Sequence, residues 1–185
     1  MKKIIVILCL VTFKIGYSQE EKQTNFKRNE LKVNALFFII GQPDFSYERI
    51  LKNDTGIGVT TSIALNNDFE TAFSLTPYYR FYFGKKPAAG FFVEGFTMLN
   101  VLDIDDYSYT SYDYSTSTYT PITKKGDRYT DFALGFGLGF KILSKRGLVL
   151  EANGGLGRNL LNTEKNDNFN HTFVGRGGLT IGYRF

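Results

Sequence analysis

The sequence predicts an all-β protein, specifically an eight-stranded antiparallel up-and-down transmembrane β-barrel. Three observations predict it: an export signal at the N-terminus, eight segments in which apolar and polar residues alternate, and an alternating apolar segment that runs to the last residue. Period-2 alternation is typical of a strand with one apolar and one polar face. A closed barrel lets such strands cross a membrane, because every backbone group then has a partner.

The first eighteen residues have the order of a secretory signal peptide. Lys2 and Lys3 make a basic start, Ile4 to Phe13 is an apolar run broken only by Thr12, and small residues precede a cleavage site after Ser18. The alternative, a membrane anchor, needs about 20 apolar residues, and this run is about half as long. We expect three parts: a signal peptide at 1–18, a periplasmic leader at 19–30, and an outer-membrane barrel at 31–185.

Charge and cysteine content exclude several classes of function. The chain has 22 Lys+Arg and 18 Asp+Glu, and removal of Lys2, Lys3 and Lys14 with the signal leaves 19 against 18, or +1. The basic pI therefore comes mostly from the export signal and gives no support for nucleic-acid binding. Cys9, the single cysteine, lies in the signal, and the residues before it do not suit lipidation. The mature chain has no disulfide or thiol chemistry.

Turn signals divide the mature chain into eight alternating segments. The turn signals are at 41–44, 52–55, 66–68, 84–87 and 144–147, and the polar stretches are at 103–128 and 162–171. The predicted strands are 31–40, 45–51, 56–65, 72–83, 91–102, 129–143, 148–160 and 172–185. The even count and the long polar connections match bacterial barrels with periplasmic turns and longer external loops. Pro77 predicts a bulge or local break in the fourth strand.

The sixth predicted strand shows which face meets lipid. Phe132, Phe136 and Phe140 share one face, whereas Asp131 and Lys141 lie on the other among Gly and Ala. Charges on the face of small residues fit a narrow interior, so the bulky face is expected to contact lipid. The alternative, a soluble lipocalin-like barrel, would fill its interior with large residues and turn its charges outward.

The same parity directs nine charged side chains inward. They are Lys32, Glu48, Arg80, Glu94, Asp131, Lys141, Glu151, Arg176 and Arg184. Five bases and four acids are near balance, as a lumen of paired charges requires, because burying an unpaired charge is costly. We interpret the set as an ionic plug. The alternative is a gated pore or proton path with rearranging pairs such as Glu94 and Arg80.

Three inward glycines, Gly135, Gly137 and Gly139, lie on the same strand. They either make room for large neighbours such as Phe96 or leave a slot for an acyl chain.

The polar stretch 103–128 is rich in tyrosine and hydroxyl residues. Its tyrosines are Tyr107, Tyr109, Tyr112, Tyr114 and Tyr119. Tyr with Ser is the composition of adaptable contact surfaces, and loops longer than about 12–15 residues are often functional. We expect an external contact loop. The alternative is a solvated hairpin tip that extends strands five and six.

Catalytic and metal signals are weak. His171 is the only histidine, and Phe173 stands where a serine partner for lipid hydrolysis is wanted. The aspartates at 103, 105 and 106 lack the spacing of a calcium loop. We predict no catalytic residue, no cofactor and no metal.

The closing residues Leu179, Ile181, Tyr183 and Phe185 resemble the signal that the outer-membrane assembly machinery reads. Together with the signal peptide and strand count, they make residues 31–185 similar to the small barrels of the OmpX and OmpA-transmembrane type. The segment 32–49 also resembles the opening hairpin of a group of outer-membrane barrels of unassigned function. The resemblance implies the outer membrane of a Gram-negative bacterium, with lipid and the assembly machinery as partners. It implies no reaction, because such scaffolds include structural, adhesive and enzymatic members.

The sequence therefore favours a non-enzymatic structural or surface-contact protein, with its plugged lumen and an unidentified external ligand or surface at the Tyr-rich loop. A narrow channel or carrier for small solutes, and a lipid-modifying enzyme, are the two alternatives.

Overall fold

The structure is a computed structural model that describes residues 26–65, 69–103, 107–114, 117–124, 126, 128–161 and 172–185. The predicted signal peptide 1–18, most of the leader, and His171 lie outside these residues. Across the described ranges, no helix has both the length and the apolar character needed to span a membrane.

Most of the described chain is strand. The elements are β1 Asn29–Asn34, α1 Ala35–Ile40, β2 Asp44–Lys52, β3 Thr55–Ile63, β4 Thr71–Tyr82, β5 Gly90–Asp103, β6 Tyr107–Asp113, β7 Thr118–Lys124, β8 Arg128–Leu143, β9 Leu148–Asn159 and β10 Phe173–Arg184.

Eight strands form one closed antiparallel barrel in the order β1-β10-β9-β8-β5-β4-β3-β2. The first and last strands complete the ring, with Glu30 opposite Arg184 and Asn34 opposite Thr180. The predicted eight-stranded barrel is confirmed. The remaining strands, β6 and β7, pair with each other as a separate two-stranded sheet inside the predicted external loop.

The first predicted strand is wrong beyond Asn34, because residues 35–40 form α1. These six residues are all apolar and lack alternation, so they have no polar face to turn toward a lumen. The Asn34 side chain accepts a hydrogen bond from the Phe37 N–H, and Gly41 ends the helix in the left-handed conformation at φ +93°. The barrel also begins earlier than predicted, since Glu30 belongs to β1 and not to a leader.

The predicted irregularity at Pro77 is a local break in the β4–β5 ladder and not a bulge, because the ladder pairs neither Thr76 nor Pro77. Leu75 lies opposite Leu99 and Tyr78 lies opposite Phe96, so the register is the same on both sides of Pro77. The shift in this ladder falls earlier, between Thr71 and Phe73.

The two ends of the barrel differ. We call the end with connections 53–54, 83–89 and 144–147 the turn end, and the opposite end, with α1, connection 64–70 and the β6–β7 hairpin, the loop end. At the turn end the 83–89 connection covers the lumen. Its fully buried Ala88 packs with Ile50, Tyr82 and Phe92, and Phe26 packs against this cluster. The turn-end half of the lumen is therefore filled.

The outer face of the barrel is apolar and exposed. On β8 the outward Phe136 is 74% exposed and Leu138 is 56% exposed, whereas the inward Asp131 and Lys141, nearer the two ends of the strand, are buried. This orientation reverses that of a water-soluble protein, in which large apolar side chains fill the interior.

Candidate functional site

The structure places all nine predicted interior charges on the inner face of the barrel. Arg176 keeps 11% of its side-chain surface exposed. The other eight are buried: Lys32, Glu48, Arg80, Glu94, Asp131, Lys141, Glu151 and Arg184. Glu30, predicted to lie in the leader, is buried with them, so the set contains five acids and five bases.

Glu48 on β2 is the centre of the network. Its Oε2 accepts hydrogen bonds from Lys32 Nζ at 2.6 Å, Arg80 Nη1 at 3.0 Å and Lys141 Nζ at 3.0 Å. Its Oε1 accepts a short hydrogen bond from the Tyr82 hydroxyl. One carboxylate on β2 thus holds cations from β1, β4 and β8, which are spread around the barrel.

Arg80 extends the network toward the loop end. Its Nε donates to Glu94 at 2.7 Å, and its Nη2 lies 2.9 Å from Glu151, which also accepts from Lys32 at 3.0 Å. Arg176 Nη1 lies 3.2 Å from the second oxygen of Glu94. The pair of Arg80 and Glu94 that parity suggests is therefore present. Glu94 links Arg80 to Arg176, and Glu151 links Arg80 to Lys32, so the strands of opposite walls are joined.

The network continues to the turn end through Glu30. This carboxylate accepts from Lys141 Nζ at 2.8 Å and from Arg184 Nε at 2.7 Å. Arg184 also donates to the carbonyls of Pro87 and Ala88, at 2.7 and 2.8 Å, so it fixes the covering turn. Sequence reasoning missed Glu30, although the parity of Lys32 extends back to it.

Asp131 takes a different position from the rest of the predicted set. It lies opposite Asn100, nearer the loop end, where its carboxylate accepts from the backbone N–H groups of Phe132 at 2.7 Å and Leu161 at 3.0 Å. These contacts order the end of β9 beside β8.

The inward glycines of β8 accommodate large neighbours. A Cβ on Gly135 would lie 2.2 Å from Cζ of Phe96, and one on Gly139 would lie 2.5 Å from Cζ of Phe92. These aromatic side chains occupy the space that an acyl chain would need.

A cavity of about 220 Å³ lies between the ionic network and the loop end. Arg80 and Glu151 form its floor, and Gln42, Glu70 and Phe173 lie at its rim. Its wall is mostly hydroxyl and amide side chains: Ser46, Thr60, Ser62, Ser74, Thr76 and Asn100 are among them.

The predicted contact tyrosines lie on the β6–β7 hairpin. Tyr114 is 89% exposed and Tyr119 is 70% exposed, and the Tyr112 ring lies 5.0 Å and 4.8 Å from theirs. Tyr109 is also exposed, and the side chain of Tyr107 lies outside the described residues. Asp103 and Arg128 pair across the neck where the hairpin leaves the barrel.

The closing residues face outward. Leu179, Ile181, Tyr183 and Phe185 are all exposed on the apolar outer surface. Within the ranges that the structure covers, no group of three His, Cys, Asp or Glu side chains could hold a metal ion.

Comparison with known proteins gives a similarity of fold. No protein-family model matches the sequence, and no curated protein matches it. Among solved structures, the chain is similar to the N-terminal β-barrel domain of Pseudomonas aeruginosa OprF, with a TM-score of 0.56 and 13% sequence identity. The match covers 88% of this chain and 98% of the OprF domain. At this identity the similarity shows the barrel fold.

Proposed function

We propose that the protein is an outer-membrane β-barrel with a structural or surface-contact role, whose lumen is held by an ionic plug and whose β6–β7 hairpin is the contact surface. The single observation that carries the proposal is the reversed distribution of polarity. Large apolar side chains are exposed around the outside, whereas the ten charged residues of the network and its neighbourhood described above lie inside. Hydrocarbon is the solvent that suits such an outer face.

The exposed belt reaches all around the barrel. It includes Phe45 and Tyr47 on β2, Phe81 on β4, Phe140 on β8 and Leu179 on β10. A belt of this extent far exceeds the few hundred Å² of apolar patch that a soluble monomer exposes. The likeness to the OprF barrel domain agrees with this location, and the closing segment of β10 is the feature we assign to recognition by the assembly machinery.

A plug is favoured over a pore by the contacts in the turn-end half of the lumen. Glu48 and Lys141 are fully or almost fully buried, and the 83–89 turn lies beneath them, held by Arg184. Charges that are paired in this way fix the walls relative to one another and leave little room for water to pass.

The contact role rests on the hairpin. Among the described residues its strands pair only with each other, so it stands beyond the ring that the barrel forms. Its exposed tyrosines supply broad contact area at a small cost in conformational entropy. We propose no catalytic role; a lipid-modifying activity would instead appear as altered lipid A that His171→Ala abolishes.

An arginine substitution on the outer face tests the membrane location. Phe136 lies near the middle of β8, so Phe136→Arg is expected to destabilise the barrel by about 2–4 kcal/mol in lipid vesicles, as arginine does at a bilayer midplane. Urea unfolding followed by tyrosine fluorescence, which no tryptophan obscures in this chain, measures the free energy of unfolding. Gel migration before and after boiling gives a second measure of folding. The matched control is Tyr109→Arg on the hairpin, which should change stability by less than about 0.5 kcal/mol. Equal effects of the two variants, or ready solubility of the wild type in buffer, would contradict the location.

Hairpin replacement tests the contact role. Replacing residues 107–124 with a short Gly-Ser linker removes β6 and β7 and leaves the β5–β8 ladder, whose last pair is Asp103 and Arg128. We expect normal heat-modifiable migration and loss of cell attachment or ligand capture. A second variant keeps the hairpin and replaces Tyr112, Tyr114 and Tyr119 with serine, so that it removes only the proposed contact side chains. Wild-type attachment in both variants would defeat the contact role and leave the barrel assignment intact.

A further inference from the structure

We propose that the loop-end cavity is a binding site for a small neutral polyhydroxylated solute of about the size of a hexose. This inference is independent of the contact role of the hairpin. It rests on the size of the cavity, on the chemistry of its wall, and on a buried amide that faces it.

The cavity has the size for one ring. Its volume is about 220 Å³, and engineered cavities of roughly 150 Å³ hold a benzene ring. The floor formed by Arg80 and Glu151 closes it toward the turn end, so a solute enters and leaves at the loop end.

The buried side-chain amide of Asn100 indicates a ligand. Only 1% of this residue is exposed, it lines the cavity, and neither Nδ2 nor Oδ1 has a hydrogen-bond partner among the residues that the structure describes. Leaving a buried donor and acceptor unpaired is costly, so these atoms call for a polar occupant. Oδ1 of Asn153, on the same cavity wall, also lacks a partner in the described part of the chain.

The rest of the wall matches hydroxyl groups. Ser62, Ser74 and Thr76 contribute side chains that both donate and accept hydrogen bonds, as the hydroxyls of a polyol do. Met98 and Leu102 add apolar surface for the C–H face of a ring. Water would occupy the same positions, and a polyol displaces such water without loss when it reproduces the same hydrogen bonds.

The charges in the cavity favour a neutral solute. The guanidinium of Arg80 is held by Glu94 and Glu151, and that of Arg176 lies 3.2 Å from Glu94. Nη1 of Arg176 has no hydrogen-bond partner among the described residues, so it can donate to a hydroxyl of the solute. The carboxylate of Glu94 offsets its charge, and the carboxylates of Asp44 and Glu70, which line the same cavity, repel an anion. We expect a hexose phosphate to be excluded where the parent hexose binds.

Titration of the whole folded barrel tests the proposal. The protein is kept in a zwitterionic detergent without sugar groups, and D-glucose, D-galactose, D-mannose and N-acetyl-D-glucosamine are the probes, with glucose 6-phosphate as the anionic comparison. Saturation-transfer NMR and calorimetry measure binding. We expect at least one neutral hexose to bind with a Kd below about 10 mM, and glucose 6-phosphate to bind at least about tenfold more weakly.

Two variants tie the binding to the cavity. Asn100→Leu removes the unpaired amide at similar volume, and Ser74→Leu fills the space opposite it, since Ser74 and Asn100 face each other across β4 and β5. Each should weaken hexose binding at least about tenfold, the effect of losing one or two hydrogen bonds. The control is Leu99→Ala on the outer face of β5, which should bind as the wild type does.

Three results would overturn the proposal. They are the absence of binding by every neutral probe, which would mean that the cavity holds water only; unchanged binding in a folded Asn100→Leu or Ser74→Leu barrel; and equal binding of glucose 6-phosphate. Heat-modifiable migration checks that each variant is folded.

Discussion

At the scale of single residues, Glu48 shows how the lumen tolerates so many charges. Its carboxylate contacts three cations, and each of these reaches a further acid, so charge is neutralised over a connected set. Burying ions costs free energy that only close pairing offsets, and a partner left alone is strongly destabilising. The stability of the barrel is therefore expected to depend more on Glu48 than on any single pair at the edge of the network.

Glu48→Gln tests that sensitivity. The change keeps the shape of the side chain and removes the charge that Lys32, Arg80 and Lys141 share, so we expect a loss of about 3–5 kcal/mol in the free energy of unfolding. Equilibrium unfolding in urea with lipid vesicles measures it. The control is Asp103→Asn, which breaks the exposed pair with Arg128 and should cost less than about 1 kcal/mol. Similar losses in both variants would show that the Glu48 contacts do not hold the barrel.

Residue parity reaches a definite limit at this scale. Alternation along each strand tells which side chains face inward, and it named Arg80 and Lys141 without any structure. It carries no information on height in the barrel, because that depends on the stagger between strands. Parity therefore groups Asp131 with the network, although it lies near the loop end. Parity also leaves out Glu30, because its polar segment predicts a leader.

At the scale of elements, the predicted strands agree with the structure where alternation is complete and differ from it where alternation is absent. β8 and β9 alternate along their whole length, and each of their predicted ends lies within one residue of the observed end. The run from Ala35 to Ile40 is apolar throughout; apolarity alone predicts a strand there, whereas the structure has α1. The informative signals were the capping residues on either side, Asn34 and Gly41, which are typical of a short helix.

The contact between β5 and β8 gives a prediction for glycines on opposite faces. Gly135 faces inward against Phe96, so Gly135→Ala is expected to cost about 1–3 kcal/mol through overpacking. Gly95 faces outward with nothing within 4 Å of an added Cβ, so Gly95→Ala should be neutral or stabilise by up to about 1 kcal/mol. Urea unfolding of the two variants measures the contrast. An equal cost at both positions would mean that backbone conformation, and not the aromatic neighbour, requires glycine.

At the scale of the whole molecule, the barrel is open at one end and filled at the other. The loop end leads to a polar cavity, and the turn end is covered by Ala88 and its apolar cluster beneath the ionic network. This asymmetry was not predictable from the strands, because it arises from a connection that folds back and is held by Arg184.

The filled turn end predicts that the intact barrel does not conduct. Wild-type protein in planar bilayers should add no steady current above that of an empty bilayer, since the ion pairs around Arg80 occupy the lumen. Single-channel recording measures this. Replacing both Arg80 and Glu94 with alanine removes a matched pair without leaving net charge, and is expected to raise the frequency of brief openings. Steady conductance in the wild type, changed by Arg80→Ala, would favour the channel alternative over the plug.

The barrel wall is expected to be weakest at β1, where the first strand pairs with the last. β1 pairs with β10 only from Asn29 to Asn34 and with β2 only from Asn29 to Val33, because α1 takes the chain away from the ladder. By contrast, β5 and β8 pair along the whole of Gly90 to Asp103. Local opening of the barrel is therefore expected to begin with the separation of β1 from β10. In hydrogen–deuterium exchange, the amides that pair these two strands should label well before those of the β5–β8 side.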